Sequence, residues 1–265
     1  MPPLVTCEIA DAVAFVRLDR PDKMNALTLQ TVSELIATAR RLRADRSVRA
    51  VVLSGNGDAF CAGLDFATVF KSPGAIAMGF VPIPWRGTNA FQEACWAWRR
   101  IPAPVIAVVH GHCLGGGLQL ALGADFRIST PDAKWSVLEA KWGLVPDMSG
   151  IRSLSQLVGI DVAKRLTMTG VSITGTEAHA LGLVTAVAAD PHLAAGELVE
   201  QITLRSPDAV AATKRLFEDT WGRGERHTFA RERWEQARLL IAGNTKVART
   251  ANARKETPQF APRSR

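Results

Sequence analysis

Residues 104–125 read Pro104-Val105-Ile106-Ala107-Val108-Val109-His110-Gly111-His112-Cys113-Leu114-Gly115-Gly116-Gly117-Leu118-Gln119-Leu120-Ala121-Leu122-Gly123-Ala124-Asp125. The run opens as an unbroken apolar, β-branched stretch of buried-strand length and passes through glycines into small residues at helical spacing. That order predicts a strand, a glycine turn and a helix start. The first N–H groups of a helix have no intrahelical partner and sit at the positive end of its dipole, so they can receive an anion or a developing oxyanion. Glycine lets a ligand approach such backbone closely. A plain tight turn under a buried helix has the same local sequence, so the surrounding segments decide between the two.

Those segments describe an α/β chain. Residues 13–18 and 50–54 read as strands, and another is expected at 125–129. A helix opens at Thr28, with Leu29, Val32, Leu35, Ile36, Ala39 and Leu42 on one face. Residues 90–100 read as a helix stopped by Pro102 and Pro104. Between them, 66–89 carries Pro73, Gly74, Gly79, Pro82, Pro84 and Gly87, which predicts a long irregular loop or lid. Thr174-x-x-Glu177 has capping-box spacing, Ser206-Pro207-Asp208 starts a helix well, and 225–243 reads as one further helix. The 265 residues suit one α/β domain with a terminal appendage, divided here as 1–200 and 201–265.

Composition narrows the function. With 47% hydrophobic and 22% charged residues, the chain is an ordinary globular one. Cys7, Cys61, Cys95 and Cys113 form no CxxC pair, so neither a zinc site nor a disulfide framework is expected, and reduced thiols point to the cytoplasm. Residues 1–20 contain Glu8, Asp11 and Arg17, and no apolar run reaches membrane-spanning length; no export signal or anchor is expected. The net charge of +7 suits a phosphorylated cofactor or a nucleic acid. Its carriers are scattered, as in Arg40-Arg41-Leu42-Arg43 and Arg99-Arg100, and are read mostly as solvated, with the densest group in the tail from Lys246 to Arg265.

Two glycine turns follow two buried strands, at Ala62-Gly63 and at Gly115-Gly116-Gly117. If the strands are neighbours, their ends can aim two N–H groups at one point and stabilise an enolate oxyanion. Arg20-Pro21-Asp22-Lys23-Met24-Asn25-Ala26-Leu27, Phe60-Cys61-Ala62-Gly63-Leu64-Asp65 and His110-Gly111-His112-Cys113-Leu114-Gly115-Gly116-Gly117, in this order and spacing, resemble the three signatures of the crotonase (enoyl-CoA hydratase/isomerase) superfamily. The resemblance covers residues 5 to 255. It implies a ββα spiral core, a C-terminal helical trimerisation portion, assembly as a homotrimer or homohexamer, and an acyl-CoA thioester substrate. Coenzyme A would enter as part of the substrate, with no permanently bound cofactor and no metal. By the same resemblance the N–H groups of Ala62 and Gly116 form the oxyanion hole, while Lys23, Ala26, Leu27, Ala62, Leu64 and Asp65 hold the coenzyme A moiety.

Hydratases of the superfamily grip a water with two glutamates. The first of those positions is Gln119 here, which can position a water or the acyl group but has no titratable carboxyl. The second is Glu139, and eight residues on stands Asp147. The Glu139 and Asp147 pair resembles the dienoyl-CoA isomerase branch, in which a base works at C2 and an acid at C6. That branch carries an aspartate where this chain has Gln119. An aspartate at 147 is also similar to the nucleophile of aryl-CoA dehalogenases, which have tryptophan in place of Glu139. The expectation is double-bond isomerisation of (di)enoyl-CoA through a thioester enolate. The alternatives are an enoyl-CoA hydratase or 3-to-2 isomerase using Glu139, and an RNA-binding homologue. His110 and His112 are expected to be structural, Cys61 to be filler, and Trp135 and Trp142 to be core or acyl-pocket wall.

Overall fold

The structure, a computed structural model, describes residues 2–264. Nine strands are present among them: β1 (Val5–Ala10), β2 (Val13–Leu18), β3 (Ala50–Gly55), β4 (Val105–Val109), β5 (His112–Leu114), β6 (Phe126–Ser129), β7 (Lys134–Ser136), β8 (Ile173–Thr174) and β9 (Ala186–Val187). The helices of the first half are α1 (Leu29–Ala44), α2 (Phe66–Val69), α3 (Pro73–Phe80), α4 (Ala90–Trp96) and α5 (Gly116–Leu122). Those of the second half are α6 (Gly150–Leu157), α7 (Ile160–Thr169), α8 (Gly175–Ala180), α9 (Pro191–Thr203), α10 (Pro207–Thr220), α11 (Glu225–Leu240) and α12 (Gly243–Arg254). The strands form a six-stranded sheet in the order β1-β2-β3-β4-β6-β9 and a three-stranded sheet in the order β5-β7-β8. Successive turns of chain add one strand to each sheet, as in β4 then β5 and β6 then β7, followed by a helix. This is the expected ββα spiral.

From β2 onward the large sheet is parallel, and a parallel sheet survives only when both faces are covered. Alternation along the strands supplies both faces. Val51, Leu53, Val105, Ala107 and Val109 join one core with α1, α4 and α5. Ala50, Val52, Ile106, Val108 and Ile128 join a second, against Ala195 and Val199 of α9. The Thr28 cap of α1 accepts from Thr31 N at 3.1 Å, and the Thr174 cap of α8 and the Ser206 cap of α10 lie where the sequence puts them.

Four expectations are corrected. Segment 66–89 is partly helical: Asp65 caps α2 through Thr68 N, and Pro73 opens α3 from its first turn, where a missing N–H costs nothing. The glycine passage after β4 contains a second strand, β5, because Gly111 (φ +59°) reverses the chain early. The helix expected over 225–243 is α11, which ends at Leu240, but after Ile241 and Ala242 a further helix, α12, makes the start of the basic tail helical to Arg254. Arg99 and Arg100 are not a solvated pair: Arg99 Nε lies 2.8 Å from Glu218, while Arg100 joins Arg86 on the fully buried Glu93 carboxylate. Burial pushes Glu93 up, but its hydrogen bonds to Arg100, Thr88 and Arg86 outweigh that and hold it below the usual range.

Position 200 falls inside α9 (Pro191–Thr203), and the next helix, α10, opens at Pro207. The chain after α12 returns to α1. Arg263 is buried and donates to Val48 O at 2.8 Å and to the carbonyls of Asp45 and Arg43. The Arg43 and Asp45 carbonyls lie at the C-terminal end of α1, where carbonyls lack intrahelical partners and a cation is favoured, and Val48 lies in the connection to β3. Asp208 receives Ser264 N at 2.6 Å and Asn244 Nδ2 at 2.8 Å. The last residue of the basic tail, Arg265, lies outside the described residues.

Candidate active site

β3 and β4 are parallel neighbours, Val51 pairing with Val105, so the chain leaves both at the same end of the sheet. The segment after β3 then zips onto β5: Phe60 N donates to His110 O (2.9 Å), Cys61 N to His112 O (2.8 Å) and Leu114 N to Cys61 O (3.0 Å). The two glycine turns therefore stand side by side. A Cβ on Gly63 (φ +95°) would sit 2.9 Å from Leu114 O and 3.6 Å from Gly116 N, so only glycine allows this approach.

The donors of this paired turn differ by one from expectation. Ala62 N–H is occupied, donating to Met24 O at 2.9 Å. Two residues on, Leu27 N–H goes to Gly63 O (2.7 Å) and Asp65 N–H to Leu27 O (2.9 Å). This brackets Leu64, whose N–H has no acceptor among the described residues. Gly116 N–H, at the first position of α5, also has none. Leu64 and Gly116 thus offer one unengaged donor on each of the two facing turns, with the N–H groups of Gly117 and Leu118 following in the first turn of α5. The one-residue parallel bridge between Leu27 and Leu64 uses the Gly63 carbonyl and the Asp65 N–H, which leaves the Leu64 N–H free, whereas Ala62 is excluded by its bond to Met24 O.

Glu139 sits on a short 3-10 turn, Leu138–Trp142, that follows β7. Its Oε1 accepts from Gln119 Nε2 at 2.6 Å. Gln119 Oε1 in turn accepts from Met148 N (2.8 Å) and Gly150 N (2.9 Å). Two backbone donors on the oxygen leave the amide only one orientation, with its nitrogen toward Glu139. Gln119 is therefore a bridge that positions Glu139 and pins the loop carrying Asp147. Glu139 Oε2 is buried with no hydrogen-bond partner among the described residues. Burial pushes the Glu139 carboxyl above the ordinary range; hydrogen bonding, including that from Gln119, opposes this, and the Asp147 charge adds to it. Asp147, half-buried on the same cavity, is also raised by burial.

Glu139, Asp147, Leu64 and Gly116 all line one cavity of ≈ 310 Å³, together with Phe66, Phe70, Phe80, Phe91, Trp142 and Met148. An apolar cleft with a few convergent polar groups is the usual form of a small-molecule site. Of this aromatic wall only Trp142 was foreseen from the sequence; the phenylalanines were not. Their signal was the spacing Phe66, Phe70 and Ile76, Phe80, which lies in the segment read as irregular. Trp142 is on this wall and exposed, whereas Trp135 is fully buried core.

The residues expected to hold coenzyme A are divided. Lys23 is exposed at the mouth of the first motif loop, and Ala26 is half-buried. Leu27 is fully buried, and its Cδ1 stands 3.3 Å from where a Cβ on Gly116 would be, so it shapes the turn rather than meeting a ligand. The Asp65 carboxylate is spent on Arg20, 2.7 Å away, and on Thr68, and the hydrogen bond from Arg20 leads in holding it below its ordinary range. Asn25, unremarked in the sequence, is buried at φ 55° and ties Asn56 O and Ala59 O to the Arg20 loop. His110 Nε2 lies 2.8 Å from Gly57 O, a structural contact. Cys61 is buried filler whose thiol is pushed up to about 12 by burial.

Comparison with known proteins agrees with this geometry. The chain belongs to the enoyl-CoA hydratase/isomerase family, whose model matches residues 8–262. It is 32% identical over 213 residues to (E)-benzylidenesuccinyl-CoA hydratase of Thauera aromatica, covering 79% of this chain and 80% of that one. It is 32% identical over 216 residues to short-chain-enoyl-CoA hydratase of Clostridium acetobutylicum, covering 80% of each. Among solved structures, a putative enoyl-CoA hydratase from Streptomyces coelicolor superposes with a TM-score of 0.88 at 30% identity, over 98% of this chain and 94% of that one. The fold is the crotonase fold, and the protein is an enzyme of this acyl-CoA family.

Proposed function

We propose that the enzyme moves double bonds in an enoyl or dienoyl thioester of coenzyme A through an enolate. The thioester oxygen would lie on the N–H groups of Leu64 and Gly116, which would carry its developing charge. Glu139, through its free Oε2, would take the proton from C2. Asp147, whose raised affinity for protons suits an acid, would deliver one further along the acyl chain at C6. The observation that carries this reading is that two desolvated carboxyls share the cavity, while the amide of Gln119 is consumed by three hydrogen bonds. A second reading, hydration with Glu139 alone, is favoured by the names of the hydratases to which the chain is similar. We further propose a homotrimer or homohexamer: Phe217, Trp221, Phe229 and Trp234 of the C-terminal helices are exposed apolar surface that a second copy would cover.

Assay of the purified protein on 2-enoyl, 3-enoyl and 3,5-dienoyl thioesters tests the reading. The expected result is dienoyl turnover that Asp147→Asn lowers by about 10²-fold or more, with 2-enoyl hydration hit far less. Rapid hydration, indifference to Asp147→Asn and no action on the diene would replace isomerisation with the second reading.

A further inference from the structure

The wall of the cavity beyond the two carboxyls is built from rings. Phe66 stacks on Phe70, with centroids 5.5 Å apart, and meets Trp142 at 5.0 Å; Phe80 meets Phe91 at 5.2 Å. All five line the same cavity. Phe91 is buried, and Gly79 fixes α3 against it: a Cβ on Gly79 would come 2.7 Å from the Phe91 ring, so only glycine lets α3 sit this close. Yet Phe70, Phe80 and Trp142 remain about half exposed or more. Large ring surfaces facing an open cavity are costly in water, and they attract another ring in offset or tilted geometry beyond what burial alone supplies. A flexible aliphatic chain takes the burial but not that extra attraction, and it loses more rotamer freedom on being held.

We propose that the acyl group of the substrate carries an aryl or similarly flat, conjugated ring, seated against the Phe66, Phe70 and Trp142 set and the Phe80 and Phe91 pair. This rests on the reading above only in taking the cavity as the acyl site; it does not depend on which reaction follows.

The test uses two saturated thioesters of equal carbon number, 3-phenylpropanoyl-CoA and nonanoyl-CoA, which neither hydrate nor isomerise. Titration calorimetry on the full-length protein is expected to give a Kd at least about 5-fold lower for the phenyl compound, the size of one favourable ring pair. Trp142→Leu and Phe70→Leu, both at exposed positions, are expected to bring the ratio of the two Kd values toward one. Equal affinities in the wild type, preference for nonanoyl-CoA, or an unchanged ratio in both folded variants would overturn the proposal. Failure of both thioesters to bind would overturn it together with the acyl-CoA reading. A phenyl preference in Kd without turnover of any enoyl or dienoyl thioester supports the ring site and removes the reaction instead.

Discussion

A glutamate in place of Gln119 keeps one oxygen for the N–H groups of Met148 and Gly150 but turns the other onto Glu139 Oε1, where an N–H donor now sits at 2.6 Å. Two carboxylates at that distance must share a proton, so Gln119→Glu is expected to raise Glu139 further. The acid limb of the kcat/KM profile should then move to higher pH. Asp147→Asn should do the reverse, because the Asp147 charge is one of the causes that raise Glu139. The sign for stability is also set. A carboxyl raised on folding binds its proton more tightly in the native state, so its contribution is fully present below about pH 4.5 and is lost as pH rises through the raised value. Glu139→Gln should therefore abolish turnover while leaving Tm at pH 8 unchanged or higher; a lower Tm at pH 8 would show that the ionised carboxylate is supported by more than Gln119. Gly116 was legible in the third motif, and Glu139 and Asp147 in the segment 139–147 beyond it. The donor role of Leu64 was not, because which N–H is free depends on a bridge between Leu27 and Leu64 that lies 37 positions apart in sequence.

The two turns act as one element, held together by the hydrogen bonds between 59–61 and β5. Gly63→Ala places a methyl 2.9 Å from the Leu114 carbonyl at a φ that alanine avoids. The turns must separate, and Leu64 N–H with them. Turnover is expected to fall by about 10², as for loss of one oxyanion donor, in protein whose circular dichroism is unaltered; full activity would remove Leu64 from the mechanism. The strands β3 and β4 and the helix α1 were plain in the sequence because burial on both faces leaves uninterrupted apolar runs and a helical stripe leaves period 3.6. The helices α2 and α3 were hidden, since Pro73 reads as a breaker unless it is known to occupy the first turn, and α3 buries none of its residues. An element without a buried face leaves no periodicity to detect.

At the scale of the molecule, Arg263 joins the end of the described chain to the end of α1, some 220 residues away. Arg263→Ala leaves carbonyls of Asp45 and Val48 without a donor in a covered setting. The expected cost is about 1–3 kcal/mol, read as a lower urea midpoint with an unchanged slope. An unchanged midpoint would mean that water replaces the guanidinium without loss. The placement of β4 has a different consequence. It is flanked by β3 and β6 and packed into a separate apolar core on each face, so its amides can meet solvent only when the whole chain opens. Segment 66–80, with Val69 its single buried side chain within α2 and α3, can open by itself at small cost. Hydrogen exchange should accordingly separate two clocks in one molecule. The amides of Val105–Val109 would track global stability, whereas those beside the cavity would exchange fast and keep their rate when global stability is lowered.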